Sequence, residues 1–201
     1  FSDAQWEKNP DGSPKDARFG FTIRDRRGPC ICVTAVVPAS IIQDFLPKDQ
    51  MIGQLELIVP LFALTWFPQL FSKRNYFWWY DNTSACSCAI RGYSSREDSA
   101  SITGLISLVC MCLQCSMWFD YCPGAYNDQA DTLSRLPEDS SLWPGIVAEL
   151  MGQEPYEFFS EHDLPPLFWP SKSILMEKPL LALRQASLLL ADHIDDDMLT
   201  R

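Results

Sequence analysis

Four carboxylates stand in this sequence where packing offers no reason for a charge. Asp3 falls in a short extended pattern at residues 1–5, and Glu56 lies beside the apolar stripe of a helical pattern. Asp81 ends the apolar run NYFWWY, and Asp131 sits near the start of the last helical pattern before Pro137. Carboxylate oxygens gathered from separate elements suit hard divalent cations, because Mg²⁺ demands octahedral oxygen ligation. Two such ions about 4 Å apart clamp a phosphodiester, one side lowering the pKa of the attacking water and the other stabilising the leaving 3′ oxygen. Each acid also has an ordinary role open to it. Asp3 can be a frayed terminal residue, Asp81 the cap of a helix starting near Thr83, Asp131 a first-turn partner of a helix dipole, and Glu56 a solvated side chain.

The surrounding pattern says which elements must carry these groups. Residues 17–24 hold the alternating Phe19, Phe21 and Ile23, and residues 30–37 are rich in β-branched side chains, so both read as strands joined by a turn at residues 25–29. With the short strand at residues 1–5 and the turn signal NPDGSP at residues 9–14, three hairpin-linked strands open the chain. From residue 50 to 71, Ile52, Leu55, Val59, Phe62 and Trp66 recur at helical steps. A strand at residues 75–80, a helix at 83–90, a long helix at 98–117, a strand at 118–122 and a helix at 128–136 follow. The order predicts an α/β domain over residues 1–137, with a five-stranded mixed sheet of three antiparallel strands and two crossover strands. Residues 138–201 read as an acidic, partly helical extension or linker, with helical patterns at 142–151 and 175–190. The aromatic residues Phe77, Trp78, Trp79, Trp118 and Phe119 are expected in the core of central strands.

Composition narrows the classes further. The chain has 201 residues, 47% of them apolar, enough for one domain with a real core. It starts at Phe1 without a leader pattern, which is the mark of a piece cut from a longer polypeptide. The apolar stretches 57–71 and 102–119 are too short or too interrupted to span a bilayer, so no membrane association is expected. The eight cysteines lack the paired CxxC spacing of a zinc site and read as buried thiols of a reducing, intracellular compartment, cytoplasmic or nuclear. The net charge of −10 is unusual for a protein that meets phosphate, but it is unevenly spread. Residues 1–137 carry 14 acids against 12 bases, and residues 138–201 carry 12 against 4. Two divalent cations held by the four carboxylates would turn the first part slightly positive.

The motifs FSDA (residues 1–4), IGQLEL (52–57), YDNTSA (80–85) and NDQADTLSR (127–135) resemble, in order, those of the ribonuclease H domains of retroelement reverse transcriptases, above all the branch of the tyrosine-recombinase (DIRS-type) elements. The last motif is the most specific. The resemblance implies a ribonuclease H-like fold, hydrolysis of the RNA strand of an RNA–DNA hybrid, and Asp3, Glu56, Asp81 and Asp131 as ligands of two Mg²⁺ ions, with Mn²⁺ as a substitute. It implies a reverse transcriptase domain in the same polyprotein as partner, and places Asn82, Thr83, Asn127 and Arg135 toward the hybrid, where amide or hydroxyl groups meet a phosphate or the 2′-OH. Two departures stand out. Pro60 removes the N–H that would bond the Glu56 carbonyl, so a kink is expected beside that acid. The loop before the last helix also lacks the histidine of many relatives, since His162 and His193 lie in the extension. Basic groups for the hybrid are scattered: Arg24, Arg26, Arg27, Lys73, Arg74, Arg91, Arg96 and Arg135. A catalytically decayed domain serving as an interaction module is the alternative, and a different nuclease of the same broad fold is a third.

Overall fold

Phe19 and Phe21 alternate with Gly20 and Thr22, and this two-residue period makes the centre of a sheet rather than a helix. In a computed structural model, which describes residues 1–6, 17–45, 51–166, 169–170, 185, 188 and 190, the strands are β1 (Ser2–Gln5), β2 (Arg18–Ile23), β3 (Cys30–Val36), β4 (Asn75–Tyr80), β5 (Ser116–Tyr121) and β6 (Tyr156–Phe159). They form one mixed sheet in the order β5-β4-β1-β2-β3-β6. β1, β2 and β3 are antiparallel neighbours, while β1–β4, β4–β5 and β3–β6 are parallel pairs. The helices are α1 (Ala39–Ile42), α2 (Ile52–Trp66), α3 (Pro68–Phe71), α4 (Thr83–Arg91), α5 (Glu97–Leu113), α6 (Asp128–Ser134) and α7 (Trp143–Met151).

The sheet has six strands where the sequence implied five. β6 comes from residues beyond 137 and pairs with β3 from Cys30↔Tyr156 to Val33↔Phe159. Its four residues, YEFF, are too few to show a period, and the edge they join lies far back in the chain. The helical pattern at 142–151 corresponds to α7, which packs Trp143, Val147 and Met151 against Cys30 and Cys32. The turn signal at residues 9–14 and nearly all of the helical pattern at 175–190 lie outside the described residues.

Two helices are shorter than their patterns suggested. The run at 50–71 breaks at Phe67, because Pro68 disfavours helical geometry in the residue before it and restarts a single turn. The run at 98–117 stops at Leu113, where Gln114 takes a left-handed conformation with φ 51°, and the chain then enters β5. α2 spans Pro60 within one element and is buried from Gln54 to Trp66. Among the described residues no helix is long and apolar enough to cross a membrane.

α2, α4 and α5 cover one face of the sheet, and α6 lies on β1, β2 and β3 on the other. This second cover stops short of β4 and β5. Trp78 is buried as expected, but Phe77 and Trp118 are 67% and 61% exposed, because among the described residues no helix covers that face of their strands. The seat of α6 depends on Gly20. A Cβ there would lie 2.5 Å from Leu133 Cβ and the Ser134 nitrogen, and 2.6 Å from the Ala130 carbonyl oxygen. Two of these neighbours are backbone and cannot swing aside. Gly20→Ala is therefore expected to cost about 1–3 kcal/mol by overpacking, read from urea unfolding midpoints. A midpoint equal to the parent's would mean that α6 is not held this closely.

Candidate metal centre

The Ser2↔Tyr80 register sets the residues that follow, Asp3 and Asp81, side by side at the junction of β1 and β4. α2 packs against β1 and carries Glu56 to the same place. One carboxylate oxygen from each of Asp3, Glu56 and Asp81 lies within 4.8 Å of the others. Asp3 and Glu56 are 5% and 4% exposed. Three residues separated by 53 and 25 positions thus share one small, largely dry space.

Their mutual repulsion is visible in their protonation. Burial first, and then the charges of Asp81 and Asp3, push the Glu56 carboxyl up to about 9. Burial also raises Asp3 to about 6, helped by Asp81 and Asp131 and opposed by a hydrogen bond from Ser134. Glu56 Oε2 and Asp81 Oδ1 are buried without a hydrogen-bond partner. An orphaned carboxylate oxygen in a dry site is costly, and a cation is the partner that satisfies several at once. The donor set is all hard oxygen, which fits Mg²⁺ or Mn²⁺ and not a soft thiophilic metal.

Asp131 stands apart from this group. Its side chain is 46% exposed, and Arg135 Nε lies 2.6 Å from its Oδ1. The four-residue spacing of the two favours that pairing. Its charge nevertheless acts on Asp3. The structure therefore brings three of the four acids together and leaves the fourth at the rim, with Arg135 beside it.

The other residues named from sequence are placed as follows. Asn82 caps α4, its Oδ1 accepting from the Ser84 and Ala85 N–H groups at 2.9 and 3.1 Å. That role was open to Asp81 in the sequence, and Asn82 taking it leaves Asp81 free to face Glu56. Thr83 is exposed in the first turn of α4. Asn127 is buried, and its Nδ2 donates to the Ser2 carbonyl at 2.8 Å, so its amide nitrogen holds β1 rather than reaching outward.

One residue escaped the sequence reasoning. Ser134 is fully buried at the end of α6, and its hydroxyl donates to Asp3 Oδ2 at 2.5 Å. Gly20 pairs with Asp3 across β1 and β2 and admits α6, and α6 delivers Ser134. The one available signal was its place in the motif NDQADTLSR. A hydroxyl that orients a metal-binding carboxylate is worth about 10- to 100-fold in metal affinity. Ser134→Ala is expected to weaken Mg²⁺ binding by that range, measured by thermal shift against Mg²⁺ concentration. Equal midpoints for parent and variant would remove Ser134 from the site.

No family model, curated protein or solved structure matches this chain.

Proposed function

We propose that this protein is a Mg²⁺-dependent endoribonuclease that cuts the RNA strand of RNA–DNA hybrids, of the ribonuclease H type, working beside a reverse transcriptase domain in the same retroelement polyprotein. The observation that carries this reading is the convergence of Asp3, Glu56 and Asp81, with buried oxygens of Glu56 and Asp81 left unpaired. The three antiparallel strands β1, β2 and β3, followed by the crossover strands β4 and β5, support it as well, since the residue pattern predicts that succession and the resemblance implies a ribonuclease H-like fold.

Divalent cations, when bound, supply an activated water and stabilise the leaving 3′ oxygen. The chain's own residues do the rest. Asp3, Glu56 and Asp81 hold the charge in a fixed geometry, and Ser134 keeps the Asp3 carboxylate from turning. Asp131 and Arg135 lie at the rim, where the guanidinium can exchange its carboxylate partner for a phosphate of the hybrid. Thr83, exposed at the start of α4, offers a hydroxyl to a phosphate or a 2′-OH.

The test is incubation of the protein with an end-labelled RNA–DNA hybrid and Mg²⁺. Cuts confined to the RNA strand and abolished by EDTA are expected. An intact RNA strand in the presence of folded protein and excess Mg²⁺ would favour an interaction module in place of a nuclease.

A further inference from the structure

Four of the eight cysteines are buried, and Cys88, Cys110, Cys112 and Cys115 are half-buried. α5 ends in a paired cap. The Gln114 N–H donates to the Met111 carbonyl at 3.1 Å, and the Cys115 N–H donates to the Cys110 carbonyl at 3.0 Å. With Gln114 left-handed at φ 51°, this is the Schellman arrangement, which turns the side chain after the cap back onto the one five residues earlier. An apolar contact commonly fills that place. Here two thiols fill it, and the Cys110 and Cys115 sulfurs share a hydrogen bond.

The backbone keeps the pair together. The covalent bonds flanking that 3.0 Å contact cap the Cα separation at about 7 Å, and the path through them is bent, so the two residues lie within the span of a disulfide. The other close pairs differ. Cys30 and Cys32 also share a hydrogen bond, but two strand residues span about 6.7 Å, the far limit for a disulfide, and both thiols are buried beneath Trp143 and Met151. Cys86 and Cys88 on α4, like Cys110 and Cys112 on α5, are two residues apart on a helix, which sets their side chains about 200° apart round its axis.

We propose that Cys110 and Cys115 form a thiol–disulfide exchange site, which reacts with a small disulfide of the oxidised-glutathione type and closes into a crosslink joining the end of α5 to the start of β5. Cys115 is the attacking thiol. The hydrogen bond from Cys110 holds Cys115 below the ordinary thiol range against the opposing effect of burial, and the same bond and burial push Cys110 up. Cys110 also sits in the last turn of α5, at the negative end of the helix, where a thiolate is disfavoured. The Cys115 thiolate attacks one sulfur of the small disulfide. A bond forms between them, the S–S bond of the small disulfide breaks, and one small thiol leaves after taking up a proton. Cys110 then loses its proton to water and attacks the Cys115 sulfur, expelling the second small thiol. The two protein thiols are thus oxidised by two electrons, and the small disulfide is reduced by the same two. The cap has already set the sulfurs together, so closure needs little movement, and an excess of small thiol reverses it.

The experiment incubates the full chain with oxidised glutathione, blocks the remaining thiols with iodoacetamide, and locates both groups by fragment mass spectrometry. Loss of alkylation at Cys110 and Cys115 together is expected, with no glutathione retained on either and with dithiothreitol restoring both. Cys110→Ser is expected to stop halfway, keeping one glutathione on Cys115, whereas Cys115→Ser takes up glutathione at Cys110 more slowly. Full alkylation of Cys110 and Cys115 in the folded parent would overturn the proposal. So would a parent that keeps glutathione on Cys115, or one that pairs either residue with another cysteine.

Discussion

Asp81→Asn is expected to lose hybrid cleavage and, in metal-free buffer, to melt at a higher temperature than the parent. The loss follows from the geometry. Asp81 supplies one of three oxygens that lie within 4.8 Å of each other, and an amide replaces a charged ligand with a neutral one. Removing a preorganised electrostatic group at a site of developing charge costs about 10²–10³ in rate, and a shared metal ligand belongs at the upper end or beyond. The gain follows from the same closeness. Asp81 is the first of the neighbouring charges that raise Asp3 and Glu56, so its removal relieves Asp3 at neutral pH and Glu56 only where that carboxyl is ionised. A relief of about 1 kcal/mol would lift the melting midpoint by about 2–4 °C in a chain of this size. Cleavage assays and thermal melts in EDTA on the same preparations check both parts. Parental cleavage by the variant would end the nuclease proposal, and a lower melting point would show that Asp81 is held by something other than repulsion.

Mg²⁺ affinity is expected to climb steeply with pH. Glu56 and Asp3 have folded values of about 9 and about 6, above the ordinary carboxylate range, so the folded protein binds protons more tightly than the unfolded chain does. Without metal, the contribution of these two groups to stability is greatest below the ordinary carboxylate range and declines as pH rises toward about 9, where Glu56 at last ionises in the fold. A divalent ion needs these groups deprotonated and must expel the Glu56 proton to bind. One proton released per binding event gives about a tenfold gain in affinity per pH unit, roughly 10²-fold between about pH 6.5 and about pH 8.5. Mg²⁺ titrations followed by thermal shift at several pH values measure this slope. A flat profile would mean that Glu56 is already ionised, and that its buried oxygen has a partner other than a cation.

The sequence made the centre of this site visible because each of its acids interrupts an apolar context. Asp81 follows NYFWWY, and Glu56 interrupts the apolar run LELIVPLF at residues 55–62, so both charges stand out in the residue pattern, although that pattern left it open that Glu56 faces solvent. The position of Asp131 depended on a competition that spacing alone does not decide. Arg135 lies one helical turn on and draws Asp131 toward solvent, while Asp3 repels it. Ser134 and Gly20 were hidden for a different reason. Their importance arises from the close approach of α6 to β2, a tertiary contact between residues more than a hundred positions apart. The exposed face of Phe77 and Trp118 was equally hidden, since aromatic richness reports burial only where a covering element exists.

β6 has a consequence for how the protein behaves in company. It occupies the outer side of β3, and α7 shields Cys30 and Cys32 beneath Trp143 and Met151. A chain ending at residue 137 would present seven residues of β3 as a bare ladder beside an uncovered greasy strip. Such an edge is a template on which other copies can add strand by strand. The extension therefore exchanges part of that ladder for the four-residue edge of β6 and covers the strip behind it, and a shortened form must blunt the rim in another way.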